Sequence, residues 1–210
     1  MSEQSALYQA VVDGDTATSL AEVNGLLAQN VLPQRIMEEY LIPAMGEVGK
    51  RFEENDFFVP ELLIAARAMQ ESMKILNPLL KTSGVAKAGR VVIGTVEGDL
   101  HDIGKNLVAA MLEGGGFEVI DLGVDVPAEK FVTAVQEQTG TILALSALLT
   151  TTMPQMKKVI EALQSAGVRE KAKVMVGGAP VTSEFATEIG ADGYSENAST
   201  AVALARKLAV

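Results

Sequence analysis

The stretch that decides the fold is residues 91–104, which read VVIGTVEGDLHDIG. Its first six residues are mostly apolar and are typical of a buried strand, and a polar loop follows, which ends at a glycine where a helix can begin. Strand, loop and helix in this order predict the first unit of an α/β sheet, a fold that binds ligands at the carboxyl ends of its strands. Asp99 and His101 lie in this loop, so the loop is a candidate site.

His101 is the only histidine of the chain, and the chain has no cysteine. Asp99, two positions earlier, can accept a hydrogen bond from one ring nitrogen, which fixes the tautomer and makes the other nitrogen a better metal ligand. The usual zinc site needs several nitrogen or sulfur ligands, which this chain cannot supply. The pair therefore indicates a metal that arrives already chelated. The alternative is a helix-capping loop in which His101 only hydrogen-bonds to backbone.

The chain after residue 90 alternates short apolar strands with helices. Strands are predicted at residues 91–96, 117–122, 141–145, 174–176 and 193–194, and helices are predicted to begin near Ile103, Pro127, Met153, Val181 and Ala198. This alternation predicts a five-stranded, doubly wound parallel sheet. The loops after the first, third and fourth strands share one edge of such a sheet. Residues 99–101, 146–152 and 177–180 should therefore converge on one cleft.

The first part of the chain has a helical pattern. Helices are predicted at residues 5–12, 16–29, 33–52 and 60–80, and no strand-like alternation interrupts them, which favours a four-helix bundle. Residues 81–90 are small or basic without apolar periodicity and are typical of a linker. We therefore predict a helical cap domain at residues 1–88 and an α/β domain at residues 89–210.

Three motifs stand in register along the second part. Asp99, His101 and Gly104 form Asp-x-His-x-x-Gly; residues 105–145 separate it from the Ser-x-Leu motif at residues 146–148, and residues 149–176 separate that from Gly177-Gly178. This combination matches the signature of cobalamin-binding proteins. Over nearly its whole length the chain resembles the small corrinoid proteins of three-component methyltransferase systems. It is also similar to the cobalamin-binding module of cobalamin-dependent methionine synthase.

The resemblance implies a flavodoxin-like, Rossmann-type cobalamin domain and a base-off, histidine-on corrinoid. His101 would replace the nucleotide base as the lower cobalt ligand, and Asp99 with the Thr152 hydroxyl would complete a ligand triad. Methionine synthases usually have serine where Thr152 stands. The loop residues that would bind the cofactor with His101 are Asp102, Ile103 and Gly104, and the residues at the displaced nucleotide tail would be Ser146, Leu148, Thr150, Gly177 and Gly178.

In the helical part, residues 49–62 resemble the cap loop of this family. By that pattern Phe52 and Val59 would pack over the upper face of the cobalt, with Val59 where methionine synthase usually has leucine. Such a cover would protect reactive and light-sensitive states of the cofactor. The alternative is that Phe52 and Val59, with the neighbouring Phe57 and Phe58, belong to the helical core.

The function that the resemblance implies is one-carbon transfer by a carrier that is not catalytic alone. Cobalt(I) would accept a methyl group from a substrate-specific methyltransferase, and methylcobalt(III) would donate it to a corrinoid:tetrahydrofolate or thiol methyltransferase, with a reductive activase as a further partner. The alternatives are a cobalamin-dependent sensor or regulatory module, the small subunit of an adenosylcobalamin mutase, and a flavodoxin-like module without cobalamin. The methyl donor is left open.

Composition limits the other classes of function. The chain has 17 Lys and Arg against 27 Asp and Glu, a net charge of −10, which argues against a nucleic-acid-binding surface. No apolar stretch reaches the roughly 20 residues needed to cross a bilayer, and the first residues lack the pattern of a signal peptide. We therefore expect a cytoplasmic protein without a membrane partner.

Overall fold

The computed structural model describes residues 5–83, 88–137 and 141–209. The chain divides into two compact units. One comprises Met1–Lys87 and Glu113–Gly116, and the other comprises Ala88–Leu112 and Phe117–Val210. The predicted linker at residues 81–90 is wrong in its first three residues, which are helical, and in Arg90, which begins the first strand; residues 84–87 lie outside the described part.

The helical unit contains helices in each of the four predicted segments. They are α1 (Ala6–Val12), α2 (Thr16–Ala28), α3 (Pro33–Ile36), a π-helical segment (Met37–Leu41), α4 (Ile42–Glu53) and α5 (Val59–Ser83). The π-helical segment interrupts the single helix predicted at residues 33–52. Pro43 follows it closely and has no N–H to donate, so one regular helical hydrogen bond cannot form there. The assembly of these helices into a four-helix bundle stays a prediction.

The termini and the packing of these helices follow from their side chains. Asp15 caps α2, because its Oδ1 accepts a hydrogen bond from the backbone N of Thr18 at 3.0 Å. Helix α1 packs on α2 and α4, and α5 packs on α2 and α4. The fully buried side chains of this core include Leu7, Val11, Val23, Ile36, Leu41, Met45, Val48, Leu62, Met69 and Leu76.

The second unit contains the predicted five-stranded sheet, and the α/β fold class is confirmed. The strands are β1 (Arg90–Thr95), β2 (Glu118–Asp121), β3 (Thr141–Ser146), β4 (Ala172–Gly177) and β5 (Gly193–Tyr194). They pair in the order β2-β1-β3-β4-β5, and every pair is parallel. Strands β1 and β3 are buried at nearly every position, as expected for central strands covered on both faces.

Helices cover both faces of this sheet, which gives the doubly wound arrangement. They are α6 (Ile103–Gly114), α7 (Ala128–Glu137), α8 (Met153–Ser165), α9 (Ser183–Ile189) and α10 (Ala198–Leu208). One core joins alternate strand residues such as Val92 and Leu143 to α7, α8 and α9, and the other joins Val91 and Ile142 to α6 and α10. None of the helices in the described ranges is long and apolar enough to span a membrane.

The register of the sheet aligns the loops that carry the three motifs. Thr95 at the end of β1 lies opposite Ser146 at the end of β3, and Ser146 lies opposite Gly177 at the end of β4. Three neighbouring strands therefore end at one level, and the loops that follow them start from the same edge of the sheet. This edge carries the predicted site.

Candidate functional site

Asp99 is the centre of the site and is completely buried. Its Oδ1 accepts a hydrogen bond from the backbone N of His101 at 3.1 Å and lies 2.7 Å from Nδ1 of the same histidine. Its Oδ2 accepts from the backbone N of Leu148 at 2.8 Å and from Oγ1 of Thr152 at 2.7 Å. One carboxylate thus joins the loop after β1 to the loop after β3.

These contacts decide the charge of Asp99. Burial alone raises the pKa of a carboxyl, because it disfavours the charged form. Hydrogen bonds from Thr152, from the backbone N of Leu148 and from His101 outweigh this effect and hold the pKa of Asp99 well below its usual value of 3.8. Asp99 is therefore an ionised carboxylate at neutral pH, and a carboxylate only accepts hydrogen bonds.

The ionised carboxylate also fixes the tautomer of His101. Nδ1 must carry the hydrogen that it donates to Asp99, so a neutral ring has its lone pair on Nε2. The His101 side chain is 49% exposed, and no hydrogen bond joins Nε2 to a residue in the described part of the chain. The ring is therefore oriented and presents a nitrogen ligand.

Large apolar side chains at the ends of β1 and β3 are unusually exposed. Leu100 in the loop after β1 is 72% exposed and Ile103, the first residue of α6, is 76% exposed, while Leu148 is 41% and Leu149 42% exposed in the loop after β3. Exposed apolar clusters of this kind mark binding surfaces. Within the described residues, no group of three or more metal-ligating side chains exists. The arrangement suits a large ligand that brings its own metal and needs one protein nitrogen.

Contacts within the protein explain why residues 177 and 178 are both glycine. Gly178 has a φ of +132°, and a Cβ there would overlap the carbonyl oxygen of Ala147. A Cβ on Gly177 would lie 3.1 Å from the carbonyl oxygen of Ser195. The backbone at Gly178 therefore runs against the backbone after β3 with no space for a side chain, and the backbone at Gly177 lies close to that after β5. The role of Gly177 and Gly178 at a displaced nucleotide tail stays a prediction.

The other predicted site residues differ in burial and in the elements to which they belong. Ser146 is half-buried at the end of β3, Thr150 is exposed, and Gly104 has open space where a side chain would stand. Asp102 is exposed, and its carbonyl oxygen accepts from the backbone N of Asn106 at 2.7 Å in the first turn of α6. Phe52, which is half-buried, and Val59, which is 36% exposed, belong to the helical unit.

Three side chains that support the site were missed from the sequence. Thr95 is completely buried, and its Oγ1 donates to the carbonyl oxygen of His101 at 2.9 Å. Lys105 is buried, and its Nζ contacts Oδ2 of Asp121 and, at 2.6 Å, Oδ1 of Asn106. Oδ1 of Asp125 accepts from the backbone N of Gly98 at 2.7 Å. A polar residue ending an apolar strand could have indicated Thr95; no local pattern indicates Asp125.

Comparison with known proteins shows the family to which the chain belongs. One B12 binding domain family model matches residues 89–203, and a second matches residues 4–77. The chain is 49% identical over 177 residues to dimethylamine corrinoid protein 1 of Methanosarcina acetivorans, which covers 84% of this chain and 83% of that protein. It is 44% identical over 197 residues to the trimethylamine corrinoid protein of Methanosarcina barkeri, which covers 93% and 91%.

A solved structure with the same fold comes from an enzyme complex. It is the methanol:cobalamin methyltransferase complex of Methanosarcina barkeri, with a TM-score of 0.84 and 32% identity, covering 97% of this chain and 78% of that chain. The α/β unit is thus a cobalamin-binding domain of the Rossmann-like type. With its fold, its three motifs and these relatives, the chain belongs to the cobalamin-binding corrinoid proteins of methyltransferase systems.

Proposed function

We propose that this protein is a methyl carrier that binds a base-off corrinoid through His101 and exchanges a methyl group between two methyltransferases. When bound, the corrinoid supplies a cobalt centre that takes up and releases the methyl group. The observation that carries the proposal is the oriented imidazole, with Nδ1 2.7 Å from the Asp99 carboxylate and Nε2 without a protein partner among the described residues.

The residues at this edge of the sheet fit a corrinoid. One imidazole is enough for a metal whose other ligands belong to the cofactor, and the exposed Leu100, Ile103 and Leu148 provide apolar contact area. Asp102 lies in the same loop as His101, and Gly104 lies in the first turn of α6, which follows that loop. The residues that would hold the displaced nucleotide tail are Ser146, Leu148, Thr150, Gly177 and Gly178, in the loops that follow β3 and β4.

The residues around His101 would control its strength as a metal ligand through the hydrogen on Nδ1. Asp99 holds the hydrogen at Nδ1 of His101, which raises the electron density on Nε2. Thr152 donates its hydroxyl hydrogen to Asp99, because the nearby carbonyl oxygen of Leu149 already accepts from the backbone N of Thr152 and of Met153. The donors to Asp99 therefore keep the carboxylate charged and fixed in orientation, and so keep His101 a strong ligand.

We infer that residues 1–88 act as a cap for the cofactor and residues 89–210 as its binding domain. The two family models, which match residues 4–77 and 89–203, support this division. In the cap, Phe52 and Val59 would exclude water from the upper face of the cofactor. Both retain exposed surface in the structure, which such a role requires.

The partners we propose are a substrate-specific methyltransferase, a second methyltransferase that passes the methyl group to tetrahydrofolate or a thiol, and a reductive activase. The relatives named for dimethylamine and trimethylamine are 49% and 44% identical to this chain, and the chain in the methanol complex is 32% identical. A methylamine is therefore the first methyl donor to test. A cytoplasmic location stays a prediction.

The decisive test uses the fact that His101 is the only histidine. Protein grown with ¹⁵N-labelled histidine and loaded with cobalamin is reduced to the cobalt(II) state, and its nitrogen hyperfine pattern is recorded by electron paramagnetic resonance. Ligation by His101 predicts a pattern that changes from that of ¹⁴N to that of ¹⁵N, and its loss in His101→Ala. A hyperfine pattern that is the same with ¹⁴N-histidine and ¹⁵N-histidine means that the nucleotide base remains the cobalt ligand, which contradicts the proposal.

Methyl transfer is tested on the same loaded protein. After reduction and addition of isotopically labelled methyl iodide, the label should stay with the protein in the dark and move to a thiol or tetrahydrofolate only when a methyltransferase is added. Loaded protein kept in the oxidised form is the control. Absence of bound cobalamin after mixing with hydroxocobalamin would exclude the carrier function.

A further inference from the structure

We propose that Asp125 is a positioning residue that sets the orientation of His101 before any cofactor is bound. Asp125 lies in the connection between β2 and α7, outside the three motifs of the site. The proposal rests on the proposed function only in that it takes His101 as the ligand. The contacts from which it is argued are those of the protein without cofactor.

Asp125 holds the peptide segment from which the Asp99 carboxylate projects. Its Oδ1 accepts a hydrogen bond from the backbone N of Gly98 at 2.7 Å, and its own backbone N donates to the carbonyl oxygen of Asp99 at 3.0 Å. The Gly98-Asp99 segment is therefore fixed at both of its ends. Since Asp99 in turn holds the ring of His101, any shift of this segment turns the imidazole.

Asp125 can act in this way because the residue after it is anchored to the central sheet. The backbone N of Val126 donates to the carbonyl oxygen of Thr95 at 3.0 Å, and Val126 forms a parallel bridge with Val96. Val126 is also buried. The position of the Asp125 carboxylate is thus tied to β1 itself.

The backbone of Asp125 gives an independent reason to look for a specific role. Its φ of +52° lies in the left-handed region, which costs a residue other than glycine about 1 kcal/mol. Glycine would avoid that cost but has no side chain to accept the hydrogen bond from Gly98. Aspartate tolerates the conformation and provides a charged acceptor. Its presence here is explained by the contact that it makes.

Thr95 holds the other end of the loop. Its Oγ1 donates to the carbonyl oxygen of His101 at 2.9 Å. The loop is therefore held at Gly98 and Asp99 by Asp125, and at His101 by a buried side chain of β1. With both ends fixed, the imidazole is prepared in one orientation, and less conformational entropy is lost when a ligand binds.

The test reads the imidazole in the protein without cofactor. Because the chain has one histidine, its two ring nitrogens can be followed without overlap by ¹H–¹⁵N correlation spectroscopy at one fixed pH. Wild type should show a protonated Nδ1 and an unprotonated Nε2. Asp125→Gly removes the cost of the positive φ and also removes the carboxylate that accepts from the backbone N of Gly98. The imidazole should then exchange between its two tautomers, so the chemical shifts of its two nitrogens should move towards each other. Asp125→Ala, which also removes the acceptor, is the second variant if Asp125→Gly does not fold, and it should show the same change of the two shifts.

Two control variants separate positioning from charge. Asp125→Asn keeps an oxygen acceptor and tolerates the backbone conformation, so its ring shifts should stay close to wild type. Glu129→Gln removes the same charge from an exposed side chain in the first turn of α7 and should leave the ring unchanged. Binding of hydroxocobalamin should weaken about tenfold in Asp125→Gly, as expected for the loss of one charge-assisted hydrogen bond, and about threefold or less in Asp125→Asn.

Identical ring shifts in folded Asp125→Gly and wild type would overturn the proposal. So would weaker hydroxocobalamin binding with unchanged ring shifts, because Asp125 would then act on the cofactor and not through His101. If wild type does not bind hydroxocobalamin at all, the proposed function fails, while the comparison of ring shifts still decides the role of Asp125.

Discussion

The loop at residues 97–102 and the segment at residues 58–64 depart from ordinary protein surfaces in opposite ways. In the loop, the charged Asp99 is completely buried, with two hydrogen-bond contacts to each oxygen. In the segment, Phe58 is 61% and Leu63 47% exposed although both are apolar. Burying a charge is costly unless every partner is in place. The hydrogen bonds of the loop therefore fix one geometry, whereas the exposed side chains of residues 58–64, the exposed segment, favour contact with an apolar surface without fixing a geometry.

Among changes in the loop, replacing Asp99 should produce the largest effect, because it removes the acceptor on which the whole loop depends. Asp99→Ala leaves the backbone N of Leu148 without its acceptor and leaves the Thr152 hydroxyl only the carbonyl oxygen of Leu149, 2.9 Å away. We expect a loss of about 2 to 4 kcal/mol in the free energy of unfolding, measured in urea. A loss below about 0.5 kcal/mol would mean that the network is not what distinguishes this loop from the exposed segment.

Acid should weaken the loop specifically. The pKa of Asp99 is lowered on folding, so its contribution to stability is fully present above the usual value of 3.8 and is lost as the pH falls below it towards the lower folded value. Wild type should therefore lose up to about 1.4 kcal/mol more per pH unit than Asp99→Asn in this range. The measurement is the free energy of unfolding of both proteins against pH. Parallel curves would contradict a lowered pKa of Asp99 in the folded state.

Thr152 should have a smaller effect that depends on its hydroxyl. Thr152→Val keeps the shape but removes the donor to Oδ2 of Asp99, and about 1 to 2 kcal/mol of unfolding free energy should be lost. Thr152→Ser keeps the donor and should retain most of the stability. If serine and valine are equally destabilising, packing of the methyl group matters here and the hydrogen bond does not.

The sequence predicted those features of the site that neighbouring residues determine. The strand before the loop, the start of α6 at Ile103 and the pairing of Asp99 with His101 all depend on residues close in sequence. The contacts of Asp99 with Leu148 and of Gly98 with Asp125 join residues 49 and 27 positions apart. Local pattern contains no signal for either, and Thr152 was found only through the resemblance to corrinoid proteins.

The difference between what hydrophobic periodicity describes and what other contacts determine also explains the errors in the predicted starts of β4 and α9. Strand β4 begins two residues before the predicted position 174, because the exposed Lys173 interrupts the apolar run that marked the strand. Helix α9 begins at Ser183 and not at Val181, because the Thr182 side chain accepts from the backbone N of Phe185 and caps the helix. Both boundaries depend on the environment of one polar side chain, which hydrophobic periodicity does not describe.

The smallest effect is expected at Leu63 in the exposed segment, and the neighbouring Leu62 on α5 is its matched buried control. Leu62 is completely buried and Leu63 is 47% exposed. Leu62→Ala should lower the free energy of unfolding by about 2 to 5 kcal/mol, whereas Leu63→Ala should change it by no more than about 0.5 kcal/mol in the protein without cofactor or partner. An equal loss in both variants would show that Leu63 stabilises the fold, and the contrast with the Asp99 loop would then be wrong. A small loss leaves Leu63 available as apolar surface whose use depends on what binds there, unlike Asp99, whose partners the chain itself supplies.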